Sequence, residues 1–95
     1  VAELGGDGMA ARRAWERAAQ LAPDDAEPHR LLAHLHFEAG EDGPAERALQ
    51  TVVTLDPEDA ATLHNLGAVL LRVGRPTEAA NALRRSLALR PTSME

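Results

Sequence analysis

Apolar residues in this chain recur at spacings of three and four in five separate stretches, the mark of a helix with one buried face each time. Ala11, Ala14, Trp15, Ala18 and Leu21 predict a helix over Met9 to Ala22. Leu32, Leu35, Phe37 and Ala39 predict a second from about Ala26 to Ala39, and Ala45, Ala48, Leu49, Val52 and Leu55 a third that begins near Pro44. A fourth, about Ala60 to Val73, carries Leu63, Leu66, Val69, Leu70 and Val73. The fifth starts at Thr77 and carries Ala79, Ala82, Leu83, Ser86, Leu87 and Leu89. Pro23, Pro57 and Pro91 stop the first, third and fifth helices, whereas Gly40 and Gly74 end the second and fourth. Asp24-Asp25, Asp59 and Thr77 supply N-caps, and Pro28 falls in a first turn where its missing N–H costs little. Val1 to Gly6 reads as the tail of a preceding helix, broken by the turn Gly5-Gly6-Asp7-Gly8.

These stretches share a period. Pro23, Pro57 and Pro91 are each 34 residues apart, and the same interval relates Gly6, Gly40 and Gly74, then Ala11, Ala45 and Ala79, then Ala14, Ala48 and Ala82, then Trp15, Leu49 and Leu83. A fixed period of this size is the signature of a solenoid, whose unit cannot bury its apolar face alone. Helix, short turn, helix, repeated, predicts an all-α stack of antiparallel helix pairs. Ala33 and Gly67 fall at one phase, where a small residue lets the partner helix approach, with Ala45 and Ala79 permitting the same from the other side. The chain starts inside a repeat and so reads as an excised piece of a longer array.

Composition agrees with helices: the apolar content is mostly Ala and Leu, with one Phe, one Trp and no Tyr. Absent cysteine excludes disulfides and thiolate metal sites. All ten basic residues are Arg, a sign of a GC-rich genome, with a bacterial source expected, although Arg also suits bidentate carboxylate pairing. The net charge of −5 argues against nucleic acid as a partner. Ten acids against Arg30 and Arg47 give −8 over Asp24 to Asp59, while Glu78 against five arginines gives +4 over Ala60 to Pro91. Solvated helix faces account for that opposition, and polar head-to-tail contact between molecules is the alternative. No apolar run reaches membrane-spanning length and no targeting segment is visible, so no membrane partner is expected and the compartment is cytoplasmic by default.

Leu32-Ala33 and Leu66-Gly67 at repeat positions 7 and 8, Ala45 and Ala79 at 20, Pro57 and Pro91 at 32, and Trp15 at 24 of the partial copy make the chain resemble the tetratricopeptide repeat family. His29, His36, Leu49, Leu70 and Leu83 depart from that pattern where large or aromatic residues are usual. The resemblance implies a right-handed superhelical α-solenoid of about two and a half repeats in five helices. Its single domain divides into a partial repeat 1–25, repeats 26–59 and 60–93, and a truncated tail 94–95. It also implies a concave groove that binds a peptide or helix of a partner protein. On matching positions the groove displays Glu27, Arg30, His34, Phe37 and Glu38, then His64, Asn65, Ala68, Leu71 and Arg72. Phe37 and Leu71 are expected as apolar contacts, and Arg30, Arg72 and Asn65 as holders of partner carboxylates or main chain.

Sharper chemistry finds less support. The carboxylate clamp of some co-chaperones has only Arg30, His34 and Asn65 at its positions here, with one of three identical. No His pair sits at i, i+4, so His29 and His36 read as half-buried structural residues rather than metal ligands. Ser86 and Ser93 lack a nucleophile context, and no phosphate loop or calcium loop is present. The expected function is a non-catalytic interaction scaffold without cofactor or metal. Its alternative is self-association through the uncapped terminal helices, giving a homo-oligomer.

Overall fold

The computed structural model of the protein describes residues 2–90. Among them lie five helices: α1 (Ala2–Leu21), α2 (Ala26–Glu38), α3 (Asp42–Leu55), α4 (Ala60–Arg72) and α5 (Pro76–Leu89). Consecutive helices pack on one another, most extensively α2 with α3 and α4 with α5, and α3 against α4 joins the two pairs. The outcome is an all-α helical repeat solenoid with extents of 42 × 27 × 27 Å. Its radius of gyration, 14.2 Å, exceeds the roughly 12 Å of a compact domain of this length, as stacking in one direction requires.

The helix stops form by the same chemistry twice. Gly40 and Gly74 take φ of +75° and +81°, the left-handed region. The Glu41 N–H returns to the His36 carbonyl and the Gly40 N–H to Phe37, while Arg75 and Gly74 donate to Leu70 and Leu71. Each is a Schellman ending, which satisfies carbonyls that the helix leaves unpaired. The starts differ from expectation in two places. Thr77 caps nothing: α5 begins at Pro76, whose fixed φ suits the first helical position, after Arg75. Likewise α3 begins at Asp42, ahead of Pro44, with no side-chain cap. Gly5-Gly6-Asp7-Gly8 is not a turn, since α1 continues through it from Ala2. Glycine weakens a helix by about 1 kcal/mol per residue but, unlike proline, removes no hydrogen bond, so it permits the backbone to continue. Pro91 and the unit expected to open at Thr92 lie outside the described residues.

The core runs through both pairs as one cluster of Ala33, Ala45, Leu49, Leu66, Val69, Leu70, Ala79 and Ala82, with Phe37, Ala48 and Val53 packed against it. Leu63 and Val52 are fully buried beside it. Ser86, at a small buried phase, donates its hydroxyl to the Ala60 carbonyl at 2.9 Å and so ties α5 to the start of α4. Five residues expected on apolar faces are instead exposed: Ala14 and Leu21 on α1, Leu87 and Leu89 on α5, and Val73 at the end of α4. Ala39, beyond the end of α2, is exposed as well. Periodicity marks a face, and only a neighbouring element buries it.

Part of the opposition between acidic and basic halves is resolved inside the chain. Arg72 of α4 pairs with Asp42 of α3, and Arg75 places one nitrogen 2.8 Å from both Glu46 oxygens. Arg12 of α1 meets Glu41 at 3.0 Å, and His36 contacts the same carboxylate oxygen at 2.6 Å. Arg12 and Glu46 are 34 residues apart, as are Glu41 and Arg75, so two successive seams hold one ion pair at the same repeat position with its polarity reversed.

Gly67 sits at a close helix approach. A Cβ there would lie 2.6 Å from Cγ of Leu83 and 3.4 Å from the Ala79 carbonyl oxygen. Gly67→Ala is expected to lower stability by about 1 kcal/mol in urea titration, because overpacking (roughly 1–3 kcal/mol) outweighs the gain in helix propensity (about 1 kcal/mol). A variant that unfolds at higher urea than wild type would refute the close approach.

Candidate functional site

The first helices of the two pairs, α2 and α4, enclose a pocket of about 240 Å³. Its floor is Ala33 and Leu49 from the core, and Phe37 closes one side. Both helices begin on a capping aspartate, because an N-terminal turn exposes backbone N–H groups that a short carboxylate can accept from. Asp25 accepts from the Glu27 N–H at 3.0 Å, and Asp59 from the Thr62 N–H at 3.2 Å.

Asp59 has a second task. Its other oxygen accepts from Nε of Arg30 at 2.8 Å, across from α4 to α2. The Arg30 guanidinium also donates to Glu27 at 2.8 Å and to Asp56 at 3.2 Å. Three carboxylates thus surround one cation at the end of the pocket formed by the helix starts. Burial pushes the Asp59 pKa up, yet the Thr62 and Arg30 hydrogen bonds outweigh it and hold the carboxyl below its ordinary value. Burial also opposes the Arg30 charge, and its bonds to Asp59 and Glu27 overcome that and raise its pKa.

At the other end, Arg72 lies over the Phe37 ring, 4.3 Å from its centroid, while Asp42 holds the guanidinium from α3. A cation over an aromatic face is attracted by the ring quadrupole. Phe37 is therefore partly covered from both sides, by the core and by Arg72. His34 and Asn65, both exposed, line the wall between the two ends.

Of the groove residues expected from sequence, Arg30, His34, Phe37 and Asn65 line one pocket. Glu27 and Arg72 reach it through their bonds to Arg30 and Phe37. Glu38, His64, Ala68 and Leu71 share the same two helices without lining it, and Leu71 stands 55 % exposed. Sequence reasoning missed Leu31, Ala61, Thr62 and the second role of Asp59. The available signal was the 34-residue stacking itself, which sets the first turn of one unit beside the first helix of the preceding one. His29 and His36 find partners within the fold, the Pro23 carbonyl and Glu41. Among the described residues no group of three or more His, Cys, Asp or Glu is placed to hold a metal ion. No helix there is long and apolar enough to cross a membrane.

Family models for the tetratricopeptide repeat match residues 6–70 and residues 60–93. The chain belongs to the tetratricopeptide repeat family. Tetratricopeptide repeats are helical scaffolds for protein–protein interaction and in general lack catalysis of their own. Among solved structures, a Thermobaculum terrenum O-GlcNAc transferase mutant is 41 % identical, with a TM-score of 0.80 over 92 % of this chain and 17 % of that one. Two crystal structures of MamA are similar at 21 % and 26 % identity, with TM-scores of 0.83 and 0.86. The match covers 92 % and 94 % of this chain against 51 % and 49 % of the MamA chains, so this chain spans at most about half the length of these similar structures. No curated protein matches.

The Asp59 network predicts an acid limb of stability. A depressed folded-state pKa means that the contribution of Asp59 is complete above its unfolded value, near pH 4, and is lost as pH falls through the folded value. Asp59→Ala should cost about 1–2 kcal/mol at neutral pH, through loss of the cap, and Asp59→Asn less because asparagine still caps. Both should flatten the fall in urea midpoint between about pH 5 and pH 2. A wild-type slope retained in Asp59→Asn would show that the carboxylate is not coupled to folding.

Proposed function

We propose that this chain is a non-catalytic interaction scaffold that receives a peptide or a helix of a partner protein along the face shared by α2 and α4. The observation that carries this reading is the pocket between those helices, apolar at its floor and polar at its rim, a common form of ligand site. Phe37 is the apolar contact within it, His34 and Asn65 supply polar ones, and Leu71 extends the apolar surface along α4. Arg30 and Arg72 act differently from the sequence expectation: each is held by carboxylates of the chain and shapes the groove rather than offering a free cation. The repeats are a partial unit at 1–25, units at 26–59 and 60–93, and a tail at 94–95. The activity of the O-GlcNAc transferase is not carried over, since the likeness spans 17 % of that protein.

A second reading, self-association, is favoured by Leu87 and Leu21, exposed at 68 % and 78 % on α5 and α1. Two substitutions separate the readings. Ala61 is exposed at the pocket rim, so Ala61→Trp fills the pocket without disturbing the core. That variant should keep the wild-type melting temperature and association state while losing at least tenfold in affinity for the partner. Leu87→Glu should leave partner binding unchanged. If sedimentation instead shows wild-type oligomers that Leu87→Glu dissociates, and Ala61→Trp binds normally, self-association is the function.

A further inference from the structure

The charges around the groove specify more than its shape. The arginines of the two helices that flank the pocket, Arg30 on α2 and Arg72 on α4, are already neutralised. Arg30 donates to Glu27, Asp56 and Asp59, a formal charge of −2 for the four groups together, and Arg72 is paired with Asp42. The N-termini of α2 and α4, which would otherwise attract an anion, are occupied by Asp25 and Asp59. A partner carboxylate would therefore meet excess negative charge and no free guanidinium. A partner cation would meet carboxylates that share a single arginine among three.

We propose, on the reading that α2 and α4 form a peptide groove, that its ligand is a basic–apolar segment: a Leu-, Met- or Phe-like anchor in the pocket and a Lys or Arg beside Glu27, Asp56 and Asp59. The spacing follows from the helix. From the centre of Ala33 and Phe37, which bound the anchor site, back to Glu27 and Arg30 is six to seven residues of α2, about 10 Å at a rise of 1.5 Å per residue. An extended peptide covers that distance in about three residues. The cation is thus expected three residues from the anchor. Glu27, exposed on the first turn of α2, is the carboxylate most able to turn from Arg30 to the ligand.

The test is fluorescence anisotropy with four labelled peptides: a Leu anchor with Arg three residues away, the same with Glu, and both again with Leu replaced by Ala. The Leu–Arg peptide should bind about tenfold tighter than the Leu–Glu peptide at low salt. That preference should shrink with added salt and in Glu27→Gln, and the Ala peptides should bind weakest. Equal affinity of the Leu–Arg and Leu–Glu peptides, with loss in the Ala versions, overturns the charge preference and leaves the groove reading intact. Tighter binding of Leu–Glu does the same. Binding unaffected by both the Leu-to-Ala change and Ala61→Trp, or no binding of any peptide at millimolar concentration, overturns both.

Discussion

Everything in this structure depends on how closely two antiparallel helices can approach at a seam lined by small side chains. Ala33, Ala45, Gly67 and Ala79 hold that position, and Ala45 and Ala79 are fully buried. With the backbones so close, Leu49 and Leu66 reach the common core, and a chain with one Phe and one Trp still assembles a continuous cluster. Each first helix starts on its own capping aspartate, and stacking of the pairs brings one of those caps, Asp59, within 2.8 Å of Arg30. The groove is thus a consequence of packing behind it.

Fold and site were not equally legible in the sequence. Gly40 and Gly74 could be read because a left-handed residue at a helix end leaves few alternatives to glycine, and the 34-residue interval repeats that demand. Ala45 and Ala79 could be read because a crowded seam admits little else. The run from Gly5 to Gly8 reads as a break because glycine turns freely, yet nothing in it removes a hydrogen bond and α1 continues through it. Thr77 misled for a related reason: Pro76 satisfies the first helical position before a capping hydroxyl is needed.

The site was harder. That Arg30, His34, Phe37 and Asn65 line one pocket follows from their phase on the first helices. The state of Arg30 does not, because its partners Asp56 and Asp59 lie 26 and 29 residues away and meet it only once the units stack. A solitary arginine in a sequence reads as an anchor for an incoming carboxylate. Enclosed by three carboxylates, it becomes a strut, and the sign of the surrounding surface changes with it.

The reversed ion pairs, Arg12 with Glu41 and Glu46 with Arg75, bear on how such a chain can change over time. Tandem copies are prone to gain or lose a unit by unequal exchange. Deleting one 34-residue unit between α1 and α5 would set Arg12 against Arg75, and duplicating the unit 26–59 would set Glu46 against a second Glu41. Either product faces like charge at its new seam, so the order of these units is written into the joints between them as well as into the gene.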